Sequence, residues 1–441
     1  MGHTRTLLLV GSISGLAALT GCQSMTDWTM PAEGKEGVSV VGALRKSQEA
    51  TGRPARPPIE ETVSPLSGLR HPGGLQSAAM LRALKTSLDA GDPERLKLWN
   101  GMLVSPRGRI DKTDWRPEKV VTQERLGWTV GMSAAGVLRY VLDWAMTGNR
   151  EAEANAITML NLWAACESFE RKATDKLGHH RLVGGITLGS LANAAELLMS
   201  SSTSWPETEQ ERFKETWRRV FLPIITENRP YFFNGNWDLA CAWSIVASAV
   251  MLDDRELFDK EIAYLKEGET NACFATYLLP SGQCQETGRD QVHAQMGLYF
   301  ASLCAQIAWN QGIDLYEGEN YSLGRCYEHV ALYNLGQDRV PYRIYNEAVG
   351  RSSRHQSPVP SPKCRGQFGK HYEMVYHHYR DYRATELPNV RKVLEKHTRP
   401  ESPGPNTQIY STLCFWNLDL EDNRQKRERW AKPDVTVDLG R

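Results

Sequence analysis

WAMTGNREAEANAI, residues 144–157, ends one apolar run, turns on Asn149-Arg150-Glu151 and begins another. Further on, AVMLDDRELFDKEI (249–262) repeats the device around Asp254-Arg255-Glu256. A helix that stops on Asn or Asp and restarts at once is a helical hairpin, because these side chains cap the orphan N–H groups of the next first turn. Working outward, apolar residues recur at three- and four-residue spacing and predict helices over 75–104, 129–147, 151–169, 187–200, 207–225, 239–252, 255–265, 291–311 and 320–335. Alternating strand patterns are nearly absent. Successive hairpins of this kind build either a closed (α/α) toroid or an open solenoid, and the fold expected here is the all-α toroid, spanning 75–415, with 416–441 as a C-terminal tail.

Of the 441 residues, 41% are hydrophobic and 24% charged, enough for a large core. Lys plus Arg and Asp plus Glu balance at 52 each, which argues against a general nucleic-acid binder and leaves room for a local basic site. Arg5 leads into an apolar run, Leu7–Leu19, that reads as an export signal over 1–21. It ends Leu19-Thr20-Gly21-Cys22, the lipobox pattern of bacterial lipoproteins, so Cys22 is expected to carry a lipid anchor after cleavage. Gln23, rather than Asp, follows and favours the outer membrane. From 22 to 74 the composition turns to Pro, Gly, Ser and mixed charge, with GRPARPPIEETVSPLSG (52–68) at its centre, and predicts a flexible tether. Eight further cysteines are scattered with no CxxC pair, as small buried side chains would be, and no metal site or disulfide is assigned to them. Thirteen tryptophans favour the toroid, whose cleft can present rings that stack on sugars, although most Trp must pack in the core.

The densest polar chemistry is GQCQETGRDQVHAQ (282–295), just ahead of a helix whose Met296, Phe300, Leu303, Cys304 and Ile307 form one inward stripe. Pro280-Ser281-Gly282 makes a turn, and the Thr287-x-x-Asp290 spacing of a capping box predicts a helix start near Gly288, with Arg289 in its first turn. Arg289 and His293, four apart, would share a face and continue the stripe. A cation and an imidazole at a helix N-terminus, where the dipole favours anions, make a carboxylate-binding corner. The plainer alternative is an ion pair with Asp290 or Glu286 that only fixes the helix start. A second constellation, YFFNGNWDLACAWSIV (231–246), sets Asn234 and Asn236 around a glycine, with Trp237 following. Those residues suit a turn and helix cap, or donors and a stacking ring for a sugar acid.

NGNWDLA (234–240), DDRELFDKEIAYL (253–265), SGQCQETGRDQVHAQMGL (281–298), AWNQGIDLY (308–316) and YNLG (333–336), in that order, resemble the alginate lyase domain family. The likeness is narrower to the polysaccharide lyase group acting on alginate and glucuronan. GKHYEMVYHHY (369–379) and TRPES (398–402) fit the same pattern, while GHHRLVGGI (178–186) matches loosely. The resemblance implies an (α/α) toroid and β-elimination at uronic acid residues of an anionic polysaccharide, with no cofactor.

That chemistry needs the uronate carboxylate neutralised, so that the proton at C5 becomes acidic enough to remove as the C4 oxygen leaves. Arg289 and Asn236 are the candidates for this charge stabilisation, with Gln285, Glu286, Asn234, Trp237 and His180 as substrate-binding residues. His293 is the candidate proton-transfer group, and Tyr376, ahead of Tyr372 and Tyr299, its partner, with His377 and His378 in reserve. Two other functions compete on the same residues. One is a glycoside hydrolase using carboxylates such as Asp238 and Glu286; the other is a glycan-binding lipoprotein without chemistry.

Overall fold

The computed structural model describes residues 59–227, 229, 234–318, 322–347, 357–403 and 409–418. The export segment, Cys22 and most of the tether lie outside them. Helices follow in the order α1 (Ala78–Asp89), α2 (Pro93–Leu103), α3 (Gln123–Thr147), α4 (Arg150–Ala164), α5 (His179–Ser201) and α6 (Glu207–Thr216). After these come α7 (Gly235–Leu252), α8 (Arg255–Glu267), α9 (Gln291–Asn310), α10 (Ser322–Asn334), α11 (Glu373–His377), α12 (Pro388–Val393) and α13 (Ser411–Phe415).

Both hairpin joints form as their residues dictate. Gly148 closes α3 in the left-handed region (φ 74°), and the Asn149 side chain then accepts the N–H groups of Glu151 and Ala152 to open α4. Asp253 (φ 58°) ends α7, and the Asp254 carboxylate accepts the Leu257 N–H to open α8. Asp tolerates that left-handed turn because its short polar side chain bonds locally. Each hairpin returns the chain antiparallel, so α3, α5, α7 and α9 run in one direction. They pack side by side in that order, and α11, α13 and α1 complete a ring back to α3. The outer helices α4, α6, α8 and α10 clasp it. All of α7 is buried, as an inner staple of a toroid must be. Helix α5 is apolar enough to suit a membrane, yet 89% of its most apolar window is buried within the ring.

Several boundaries differ from the sequence expectation. The helix predicted over 75–104 is two, because Gly91 takes a left-handed φ of 75° and Asp92 caps α2 with Pro93 in its first turn. Helix α4 stops at Ala164, and 168–170 instead pairs in parallel with 120–122. The predicted helix 207–225 contains a wider turn at Trp217–Phe221. Helices α3, α5 and α7 begin earlier than predicted, which draws GHHRL and NGNWD into first turns. Seven of the eight scattered cysteines are free and buried, as expected.

The largest correction concerns the tether. The packed body begins by Ile59, not at 75, since Ile59, Leu69 and Leu75 are buried. Residues 62–63 pair with 70–71 as a short antiparallel ribbon, and the following chain seals the C-terminal end of the ring. Gly73 N donates to Glu196 Oε1 (3.1 Å), Leu75 N to Asn193 Oδ1 (2.7 Å), and Asn310 Nδ2 to the Gly74 carbonyl (2.6 Å). His71 lies between Glu196 (3.1 Å) and Asp253 (3.2 Å). Burial opposes charge on this imidazole, but the two carboxylates outweigh it and raise its pKa.

Candidate active site

The open end of the ring collects the starts of the inner helices. Strands 120–122 and 168–170, which lead into α3 and α5, pair in parallel and hold those starts together. Parallel inner helices aim the positive ends of their dipoles at this one face, a favourable setting for an anionic chain.

At the start of α9 the true cap is Asp290, whose carboxylate accepts the His293 N–H (2.9 Å). Thr287 does not cap; its hydroxyl accepts the Cys284 N–H (3.0 Å). Helix α9 thus starts at Gln291, and Arg289 stands just before it rather than in its first turn. The predicted meeting of Arg289 and His293 survives because both lean on Asp290: Arg289 Nε lies 4.0 Å from Oδ2 and His293 Nδ1 2.7 Å from the same oxygen. Burial pushes the Asp290 carboxyl up, but the hydrogen bond and charge of His293 more than offset this and hold it below the usual range. A carboxylate gripping Nδ1 fixes the proton there and leaves Nε2 as the acceptor, a tautomer assigned from this hydrogen bond.

Arg289 Nη1 donates to Glu286 Oε2 (3.2 Å) and to Asn236 Oδ1 (3.4 Å). Asn234 Nδ2 donates to the same Glu286 oxygen (3.3 Å). Arg289, Asn236, Asn234 and Glu286 therefore form one corner between the starts of α7 and α9, with His293 beside it. Asn236 Nδ2 and Glu286 Oε1 are buried without a hydrogen-bond partner among the described residues, so the corner retains one donor and one acceptor. The Arg289 and His293 side chains keep 21% and 23% of their surface open, enough to be touched from the cleft. Close approach makes this possible: a Cβ on Gly235 would strike the Tyr277 ring at 2.3 Å, and one on Gly297 would meet its hydroxyl at 1.8 Å.

Other predicted site residues fare differently. Gln285 is consumed internally, accepting the Gly235 N–H and donating to Asn271 (3.0 Å) and Tyr345 (3.3 Å), so it braces the corner and does not face substrate. Glu286, 2% exposed, orients Arg289 and likewise cannot lie along a sugar. The Trp237 ring stands 5.1 Å from the ring of exposed His179, at the adjoining starts of α7 and α5. His180 is turned away. Asp175 holds its Nδ1 at 2.8 Å, and it lines a separate pocket of about 450 Å³ with Phe169, Arg171, Arg181 and Arg219. Tyr376 sits under the Arg380 guanidinium, 5.3 Å from its ring centre, in the field of Glu386 and Arg391, and no contact joins it to the corner. Tyr372 is buried and donates to Gln295, Tyr299 packs on His371, His378 stacks on Tyr316, and His377 is against Asp381. None of these reserves stands at the corner. Asp238 is fully buried against Arg229 (3.0 Å) and Tyr264 (2.8 Å).

Asp290 was missed as a functional residue. The signal was present, an acid three residues before the histidine, but the capping-box reading credited Thr287 with the cap.

Residues 123–340 match the family model described as alginate lyase. An alginate lyase of Pseudomonas fluorescens is 26% identical over 200 residues, 44% of this chain and 53% of that protein. One from Cobetia marina is 25% identical over 200 residues, 44% of this chain and 52% of its own length. The chain thus spans about half the length of these curated relatives. A crystal structure of an alginate lyase from Bacteroides ovatus superposes with a TM-score of 0.53 at 15% identity, covering 78% of this chain and 99% of that one, a likeness of fold. Matched over the stretch that holds α3 to α10 and the Arg289 corner between them, residues 123–340 belong to the alginate lyase domain family, carried on an (α/α) toroid.

Proposed function

We propose that the protein is a polysaccharide lyase that cleaves 4-linked uronic acid polymers, alginate or glucuronan, by β-elimination. The observation that carries this reading is the meeting of Arg289, Asn236 and the Asp290-bound His293 at one partly open corner. Arg289 takes the uronate carboxylate and stabilises the charge that moves onto it as the C5 proton leaves, while Asn236, fully buried, accepts from Arg289 and orients it rather than touching the sugar as the sequence suggested. His293 Nε2 takes that proton, the C4–O4 bond breaks as the double bond forms between C4 and C5, and the departing O4 takes up a proton from solvent, while His293 later returns its own proton to water. Removing one positioned donor of this kind typically costs about 10²–10³ in turnover.

The hydrolase alternative weakens on geometry. Its carboxylates, Asp238 and Glu286, are buried and spent on Arg229 and Arg289, whereas glycoside hydrolysis needs two carboxyls flanking an accessible bond. The test is incubation with polymannuronate, polyguluronate and glucuronan while following the ultraviolet absorbance of unsaturated uronate ends. A rise on at least one polymer supports the lyase. Reducing ends without absorbance would return the hydrolase, and binding without either would make the protein a receptor.

The lipobox supports a second part of the proposal, that Cys22 anchors the protein by lipid to a bacterial membrane, the outer one favoured by Gln23. Cys22→Ala then yields a soluble or unprocessed form; continued membrane fractionation of an exported mutant overturns the anchor.

A further inference from the structure

The structure assigns a second saccharide-binding site, distal to the Arg289 corner, to Trp128 and the loop that faces it. This inference rests on the lyase reading for the identity of its ligand, a uronate unit of the same polymer. Trp128, in the second turn of α3, has 59% of its surface exposed, and no other tryptophan is among the exposed large apolar side chains of the described residues. It borders a pocket of about 480 Å³ with Pro106, Arg107, Lys112, Thr113, Asp114 and Met132. The polar groups are those a uronate needs: Arg107 and Lys112 for its carboxylate, and for a hydroxyl the Asp114 Oδ1, which is buried without a hydrogen-bond partner. An indole face supplies the platform for the C–H face of the ring.

The site is built into the fold and does not depend on a wandering loop. Buried Arg139, three turns further along α3, donates to the carbonyls of Ser105 (2.8 Å), Arg107 (2.7 Å) and Gly108 (3.2 Å). Trp115 is fully buried and donates to the Arg109 carbonyl (2.7 Å). Gly108 and Gly136 touch so closely that a Cβ on either would fall 2.2–2.3 Å from a backbone oxygen. A cation buried to hold three carbonyls fixes the loop in the shape that surrounds Trp128.

Its position follows from the ring. Trp128 lies near the start of α3, on the same open end as Arg289, and the His179–Trp237 pair occupies the starts between them. With neighbouring helices roughly 8–10 Å apart, three steps from α3 to α9 place Trp128 several sugar units from the corner. A chain held at both points would run along the rim over His179 and Trp237.

The experiment compares Trp128→Ala with the wild type and with Leu66→Ala, an exposed residue in the sealing arm. Cleavage is followed on polymer and on the shortest oligomer that is cut, and retardation is measured in gels containing alginate. Losing a central aromatic contact should raise KM on polymer about five- to tenfold, weaken retardation in step, and cost much less on the short oligomer; Leu66→Ala should match wild type. Equal losses on both substrates, or none on polymer, overturn the distal site. If wild type is retarded but never eliminates, the lyase reading fails while loss of retardation in Trp128→Ala still upholds the site. A wild type neither retarded nor active overturns both.

Discussion

The two ends of the ring use similar residues to opposite ends. At the closed end, His71 is gripped by two carboxylates, Glu196 and Asp253, and arm and helix ends satisfy one another's polar groups. At the open end, His293 is gripped through Nδ1 alone, and Asn236 and Glu286 each keep a buried atom unpaired. A histidine engaged on both nitrogens is a fastener. One engaged on Nδ1 alone, with part of its surface open, has Nε2 left to do chemistry. The contrast teaches that the type of residue says less than how many of its atoms the fold has already used.

Substitutions at the open end should give the largest effects and leave the fold alone. Arg289→Ala is expected to lower turnover per folded molecule about 10²–10³-fold, alongside a lower melting temperature because buried Glu286 loses its partner. Arg289→Lys recovers little, because one ammonium cannot replace a planar fork. Full activity in either variant would reduce the corner to a helix-start ion pair.

Asp290→Asn sharpens the same comparison, since it keeps the cap acceptor while weakening the hold on Nδ1. Turnover should fall about 10- to 100-fold, the scale on which an orienting partner usually acts. The pH profile should move with it, whereas a purely structural Asp290 would change the melting temperature and leave the profile in place.

At the closed end the expected effects are on stability. Leu69→Ala removes a side chain that is 1% exposed and should cost about 2–5 kcal/mol, lowering the melting temperature by several degrees with turnover per folded molecule unchanged. Deleting residues 24–58, by contrast, should leave both nearly intact, and a large loss of stability there would extend the sealing arm further toward the N-terminus.

The smallest effect is a pH dependence. The raised pKa of His71 means its ion pairs contribute stability fully below about pH 6.5, the unfolded value. That contribution is lost as pH rises through the higher folded value. The melting-temperature gap between wild type and His71→Gln should therefore be widest in mild acid and narrow above neutrality; a gap that widened with pH would contradict the assignment.

Much of the ring was legible in the sequence, because helix periodicity and the Asn149 and Asp254 caps are local signals. The arm was not. GRPARPPIEETVSPLSG lacks periodicity, and the burial of its Ile59 and of Leu69 just after it depends on helix ends more than a hundred residues away, so only composition was visible and it suggested a tether. At the site, Arg289, His293, Asn236 and Asn234 converge as the order of motifs suggested, although Arg289 and His293 meet through Asp290 rather than along one helix face. Gln285 and Glu286 could not be told from substrate ligands, since the hydrogen bonds that consume them come from Asn271, Tyr345 and Arg289 in three dimensions. Tyr376 failed for a similar reason: an aromatic residue in a polar segment carries no sign of which way its element faces.

Turnover by the His293→Ala protein, with its fold checked by circular dichroism and melting temperature, bears on the open end most directly. A folded protein that has lost about 10²–10³ in the appearance of unsaturated uronate ends, and one limb of its pH profile with it, is the result expected here. A folded protein with near-normal turnover would mean that His293, like His71, is only a fastener.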